Sequence, residues 1–267
     1  MPVRLATWNI NSVRLRLPLV LQFIETHRPD ILCLQEIKCQ NDQFPAEALT
    51  DAGYRHQVVN GQKGYHGVAI VSKLKLSDPD LHGFCGKGDS RHVSALVEGA
   101  GRPFRLHNFY IPSGGDEPDP KINPKFRHKL DFLAELQEWF DGPLFDRGQV
   151  IVGDFNIAPH ENDVWNHKQL LKIVSHTPVE TGALNAIQSR RSWVDLLRRH
   201  VPTSEKIYSW WSYRARDWDV SDRGRRLDHI WATPDLAPRS IAAEIVRAAR
   251  GWTGKPSDHV PVIVSLG

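Results

Sequence analysis

Apolar residues along this chain gather in short runs rich in β-branched types, each closed off by Gly, Pro, Asn or Asp. The runs are Val3–Trp8, Ile31–Leu34, Gly67–Val71, His92–Val97, Phe104–Phe109, Gln149–Val152 and Val260–Val264. That pattern predicts strands with turns at their ends. Helical spacing shows elsewhere. Pro18 to Arg28 carries apolar residues at 20, 21, 23 and 24 and is stopped by Pro29. Asn123-Pro124 is a cap followed by a favoured first helical residue, and Phe126, Leu130, Leu133 and Leu136 give the helix an apolar face through about Phe140. A third helix is expected over Ala186–His200. The order begins β-α-β and then runs through several strands before the next helix. A uniform parallel repeat does not do that, so a mixed α/β or α+β sandwich is expected. The Gly- and Pro-rich stretch Gly114–Asn123 reads as a loop too short to divide the chain, leaving one domain over residues 1–267.

Composition narrows the class. Of 267 residues 40% are hydrophobic and 24% charged, which is globular rather than disordered. A net charge of +3 permits a polyanionic partner without requiring one. No apolar run is long enough to span a bilayer, so no membrane partner is expected. The polar residues Thr7, Asn9, Asn11 and Ser12 interrupt what would be a signal core. Cys33, Cys39 and Cys85 cannot all pair and form no CxxC, so a reducing cytoplasm is the expected location.

Carboxylates, amides and one histidine sit at the ends of the expected strands, where a sheet holds reacting groups rigidly. Asn9 ends the first and Glu36 the second. Tyr110 follows Phe109, Asp154 and Asn156 follow Val152-Gly153, Asp228 lies in Arg226-Leu227-Asp228, and Asp258-His259 precedes the last strand. Each alone could be a turn former or cap. Together Glu36, Asp154 and Asp258, with Asn9 and Asn156, supply the oxygen ligands that a hard cation such as Mg²⁺ takes. A histidine beside an acid suits proton transfer.

These segments resemble the exonuclease III family of the endonuclease/exonuclease/phosphatase superfamily. The resemblance rests on Trp8-Asn9-Ile10-Asn11, Leu34-Gln35-Glu36-Ile37-Lys38, Gly61 to Ala69, Gly153-Asp154-Phe155-Asn156, Arg226-Leu227-Asp228 and Ser257-Asp258-His259, in order over residues 8 to 259. It implies a four-layered α/β sandwich, two packed mixed β-sheets flanked by helices, with the site at one end. It implies DNA-repair phosphodiester hydrolysis with Mg²⁺, one ion or two, Mn²⁺ standing in. Glu36 would be the principal metal ligand, assisted by Asp258 and Asn9. Asp154 and Asn156, with His259, would hold the attacking water or a second metal, and Asp228 would fix the His259 tautomer. Tyr110 would donate to the scissile phosphate, and Asp154 would be the base.

The expected partner is double-stranded DNA with abasic sites or 3′ ends, bound by a monomer. Ala186 to Arg226 holds ten Lys/Arg against five acids, interleaved with Tyr208, Trp210, Trp211, Tyr213 and Trp218. Cations track phosphates and flat rings stack on unstacked bases; solvated charges and core tryptophans would give the same string. The segment Tyr208 to Arg214 resembles the family segment that lines the pocket for an abasic sugar, which singles out Trp211; Asn11, Lys38, Arg91, Arg214 and Arg225 would be further DNA contacts. Lys121, Lys125, Arg127 and Lys129 form a second basic cluster. His176 is expected near the pocket, biasing the enzyme toward exonuclease work. The rival reading is a phosphodiesterase of the same superfamily acting on RNA or a phosphorylated small molecule.

Overall fold

The structure, a computed structural model, describes residues 2–99 and 101–267. Strands β1 (Val3–Asn9), β2 (Ile31–Gln35), β3 (His56–Asn60) and β4 (Val68–Ser72) belong to one sheet. A second sheet takes β5 (Leu76–Asp80), β6 (His92–Val97), β7 (Phe104–Tyr110), β8 (Gln149–Asp154), β9 (Val194–Asp195) and β10 (Asp228–Ala232). The chain then returns to the first with β11 (Ser240–Ile245) and β12 (Val262–Leu266). The strand orders are β11-β12-β1-β2-β4-β3 and β5-β6-β7-β8-β10-β9. Both sheets are mixed: β1 runs parallel to β2 and β7 parallel to β8, and their other pairings are antiparallel.

Period-two alternation sorts every strand between two faces. Val3 and Leu5 of β1, Ile31 and Cys33 of β2, Leu106 of β7, Val150 and Val152 of β8, and Ile230 of β10 fill the space between the sheets. The intervening residues pack outward. Ala6, Trp8, Leu32 and Leu34 meet Val20 and Phe23 of α1 (Val13–His27). Phe109 and Ile151 meet Phe132, Leu133 and Leu136 of a long helix (Pro124–Phe140) and Leu184 and Ile187 of a shorter one (Pro178–Arg190). Helix, sheet, sheet, helix gives the four-layered sandwich.

Toward one end the inner face turns polar. After Leu5 come Thr7 and Asn9; after Cys33 comes Gln35; after Leu106 come Asn108 and Tyr110; after Val152 comes Asp154. Gln35 donates to Thr7 at 2.8 Å and across the sheets to Asn108 at 2.7 Å, while the Asn108 amide donates to the Leu34 and Ala69 carbonyls. The buried amide N–H groups there are satisfied by one another, by the Thr7 hydroxyl and by strand carbonyls.

The helices differ instructively from expectation. The first begins at Val13 and bends at Arg16, whose φ/ψ is non-helical; Pro18, lacking an N–H, opens the straight part beyond the bend. A short helix, α2 (Ala46–Asp51), was not foreseen. Asn123 accepts the Lys125 N–H as the cap of α3 (Pro124–Phe140), as the sequence predicts. After the one-turn α4 (His167–Leu170), α5 spans Pro178–Arg190 rather than Ala186–His200. Thr177 and Glu180 form a capping box with Pro178 at the first position, which sets the start of the helix eight residues before Ala186. Strands β3, β5 and β11 escape the pattern because they are half-exposed edges, β5 with Pro79 inside it. β12 starts two residues late because Pro261 cannot join the ladder.

Candidate active site

The polar ends of β1, β2, β7 and β8 meet the Ser257–His259 turn at a cleft of about 680 Å³ lined by Glu36, Tyr110, Asn156, Asp258 and His259. Register makes the convergence unavoidable. Asp154 lies between Tyr110 on β7 and Asp228 on β10. The turns leaving the strands are tight, with left-handed backbone at Asn11, Glu36, Lys38 and Asn156. Gly153 is obligatory: at φ +139 a Cβ there would fall 1.9 Å from the Phe109 carbonyl oxygen.

Asn9 joins two halves of the site, its amide donating at 2.9 Å both to Glu36 Oε1 and to Asp154 Oδ2. On the Glu36 side, Tyr110 Oη donates to Oε1 at 2.8 Å and Lys38 Nζ reaches Oε2 at 2.8 Å. Burial opposes ionisation of Glu36, but Lys38 and these donors outweigh it and hold its carboxyl below the usual range. On the Asp154 side, Asn156 donates its backbone N–H to Oδ1 and its side-chain amide to Oδ2. Despite these donors and the His259 charge, burial dominates and lifts Asp154 to about 7, with Asp228 adding to the rise. His259 is the counterpart. Its Nδ1 bonds Asp228 Oδ2 at 2.8 Å and its Nε2 lies 3.7 Å from Asp154 Oδ2. Burial works against its charge, yet Asp228 and then Asp154 raise it to about 10. Ser209 donates to the same Asp228 oxygen at 2.6 Å, locking the carboxylate.

The expected roster is thus brought together, with changes of role. Asn9 presents its NH₂ to the carboxylates while its oxygen accepts the Asn11 N–H, so it is a bridge rather than an oxygen ligand. Asn156 likewise spends its NH₂ on Asp154 and the Ile111 carbonyl, and so positions Asp154. Asn11 donates to Asp258 Oδ1 and accepts from Lys38, which makes both part of the Glu36–Asp258 neighbourhood rather than free DNA contacts. Arg91 is buried against Asp89 and the Tyr110 carbonyl, 5.0 Å over the Tyr110 ring.

Trp211 does not line the cleft. It is buried against Tyr208 and Trp218, its indole donating to Asp222. Trp210 takes the wall instead: isolated bridges set it beside Arg225 and His259, and its indole donates to Asp258 Oδ2 at 2.9 Å. Neighbours in an extended segment face opposite ways, so a string of two tryptophans cannot say which one looks inward. Trp165 escapes the sequence reading, and Arg223 enters it only as one of the ten cations of Ala186–Arg226. Arg223 lies over Trp165 at 4.8 Å and Arg225 over Trp210 at 5.2 Å, with Arg214 completing a cationic, aromatic wall. Of the other cations in Ala186–Arg226, Arg190, Arg191, Arg198 and Arg226 are committed to acids. His176 is also outside the cleft, buried between the Ala158 carbonyl and His167; Val174 and Ser175 are the wall there. Lys129 of the second basic cluster is fully buried.

Glu36 and Asp258 face the cleft with oxygen donors, and Lys38 already places a positive charge on Glu36. That environment fits a hard divalent cation. Among the described residues, Asp154, Asp228 and His259 also offer ligand atoms within 4.8 Å of one another. Both His259 ring nitrogens already face carboxylates, Nδ1 on Asp228 and Nε2 toward Asp154, so this trio reads as an acid–base relay and Glu36 with Asp258 as the metal side.

A second set of buried histidines sits behind β7 and β8. His92 Nδ1 accepts the His82 N–H, leaving its Nε2–H to donate to His107 Nδ1, whose Nε2–H then donates to Gln149. Every acceptor in this chain is used, so neither ring can be protonated without losing a bond. Burial first, then charged neighbours, push His92 well below its usual value; burial takes His107 and His229 to about 3. Folded values below the unfolded value of about 6.5 mean that the stability these rings contribute is complete above that pH and is lost as pH falls toward 3. Asp154, raised in the fold, takes up a proton over the same window and offsets one ring. The remaining two give about 3 kcal/mol per pH unit. The urea midpoint should therefore drop steeply between pH 6 and 5; a midpoint that holds across this range contradicts buried neutral rings.

Residues 6–259 match the endonuclease/exonuclease/phosphatase family. Exodeoxyribonuclease III of Haemophilus influenzae is 30% identical over 279 residues, spanning 97% of this chain and 98% of that protein. An AP endonuclease from Archaeoglobus fulgidus superposes with a TM-score of 0.90 at 32% identity, with 99% of both chains covered. The 3′ phosphatase NExo from Neisseria, bound to a product DNA hairpin, superposes with a TM-score of 0.89 at 32% identity, again with 99% of both covered. With the match running from β1 to the Asp258-His259 pair, and the two sheets and their cleft in place, the chain belongs to the endonuclease/exonuclease/phosphatase family.

Proposed function

We propose that this protein is a DNA-repair phosphodiesterase. It uses Mg²⁺, or Mn²⁺ in its place, to hydrolyse duplex DNA from 3′ ends or beside abasic sites. It acts as a single catalytic unit, a monomer in the cytoplasm. One observation carries the reading: an oxygen-only cation side, Glu36 with Asp258, is bridged by Asn9 to a buried base, Asp154, beside a wall of arginines stacked on tryptophans. The DNA-directed relatives support the choice of substrate.

Hydrolysis forms a bond from water oxygen to phosphorus and breaks the bond to the 3′ oxygen, which takes a proton from solvent, leaving a 3′-hydroxyl and a 5′-phosphate. Asp154, poised near neutrality, accepts the water proton. His259 stays protonated, held in place by Asp228, and places its Nε2–H toward the negative charge that builds on phosphate. A divalent cation held by Glu36 and Asp258 would supply positive charge for the phosphate and the departing oxygen. Arg214, Arg223 and Arg225 counter the backbone charge, and Trp165 and Trp210 offer faces for an unstacked nucleotide.

The test is a 5′-labelled duplex with one internal abasic analogue, incubated with Mg²⁺ or with EDTA. A single Mg²⁺-dependent cut at the lesion identifies an abasic endonuclease, and a ladder shortening from the 3′ end an exonuclease. No cleavage of either kind sinks the DNA reading and turns attention to RNA or phosphorylated small molecules. Glu36→Gln keeps the shape but removes the charge. It should raise the Mg²⁺ concentration for half-maximal cleavage by roughly tenfold or more; an unchanged Mg²⁺ titration would remove Glu36 from the cation side.

A further inference from the structure

Lys129 and Glu180 form an ion pair with neither side chain exposed. They come from two different helices, Lys129 from the second turn of α3 and Glu180 from the first turn of α5. The ammonium has three protons, and all three are used. They go to Glu180 Oε1, to the Asn156 carbonyl at 2.8 Å and to the Ser113 carbonyl at 3.3 Å. Glu180 accepts the Ser175 N–H at 3.0 Å on both oxygens, together with the N–H and hydroxyl of Thr177. Ser113, Asn156 and Ser175 all line the cleft. One buried pair therefore stands behind three loops that leave three different elements.

The fit around Lys129 is close. Gly114 has φ +88, and a Cβ there would lie 3.0 Å from both Lys129 Cδ and Val174 Cγ1. The loop after β7 is thus laid directly on the lysine stem. Asn156, itself left-handed at φ +54, is held at three points: its N–H on Asp154, its amide on Asp154 and Ile111, and its carbonyl on Lys129. Without the ammonium that carbonyl loses its donor.

We propose that Lys129 is a positioning residue for the hydrolytic reaction. From behind the cleft its ammonium fixes Asn156, and through Asn156 the Asp154 carboxylate, relative to the Ser113 and Ser175 walls. A merely stabilising pair would be replaceable, since neutral groups of similar volume commonly substitute for a buried ion pair at little cost. A positioning pair would not be, because a shift of about 1 Å at reacting groups costs roughly a hundredfold in rate.

The discriminating variant is Lys129→Met/Glu180→Gln, which removes both charges while leaving an acceptor for the Ser175 N–H. It should fold with a melting temperature near that of the parent, yet lose roughly thirtyfold or more in kcat, with KM for DNA changed less than threefold. The conservative Glu180→Gln, which keeps the Lys129 donors on Asn156 and Ser113, should retain most of kcat. A folded double variant within threefold of the parent kcat overturns the proposal. So does a double variant that cannot fold, because the pair is then a folding element. A parent enzyme that cuts no DNA would instead sink the substrate assignment. In that case the Asn156 side-chain amide resonances still decide, being expected to move in the double variant and to stay in Glu180→Gln.

Discussion

Asp154→Asn should lower kcat by roughly a thousandfold or more while the protein stays folded. Two losses act together. The amide cannot accept the water proton, and its NH₂ must face either the Asn9 amide or the Asn156 donors, all of which now point at a carboxylate. The pH profile separates them. Burial raises Asp154 to about 7, so below that pH the carboxyl is protonated and cannot take a proton. The parent rate should climb with pH through about 7 and level off above it. In Asp154→Asn the residual rate should lose that limb. A loss of only tenfold, with the limb retained, would leave Asp154 a positioning role and move the base elsewhere.

The largest stability loss should come from Arg226→Met. Arg226 is completely buried, its Nε and one terminal nitrogen on the two oxygens of Asp163 at 2.8 and 3.0 Å and the other on Asp195 at 2.7 Å. Arg198 shares Asp163. Burial penalises both acids, but the guanidinium more than compensates and holds each below its ordinary value. Truncating the cation strands the buried Asp195 carboxylate and leaves Asp163 with Arg198 as its only cation. The expected cost is about 3–5 kcal/mol or more, a fall of roughly 10 °C in melting temperature. Because the folded values are depressed, the stability from these acids is present above about pH 4 and vanishes as pH falls further. The variant should therefore lose less, relative to the parent, in acid than at neutrality. A shift below about 3 °C at pH 7 would show that the acids find other partners.

Much of this was readable in the string. Asn9, Glu36, Asp154 and His259 each stand beside a predicted strand, so the pattern already places a polar group at the end of each, whereas the strand that Asp228 opens, β10, lay outside the runs. What was hidden is orientation and pairing. The direction of the Asn9 amide depends on two carboxylates distant in sequence. The choice of Trp210 over Trp211 depends on a bridge to His259. Lys129 reads as one more surface cation until α5 delivers Glu180 against it, although the Thr177–Glu180 capping box that starts α5 was visible. Edge strands lacked a signal because half their residues face solvent.

The gradient along the inner face has a consequence for assembly. Asn9, Tyr110 and Asp154 keep step with the Val and Leu residues that fill the sandwich. A slip of one residue in any of these strands would turn its polar terminus outward together with its core residues. A mispaired form is therefore inert by construction. The same alternation that closes the core also assembles the site, so that packing and catalytic competence depend on one register.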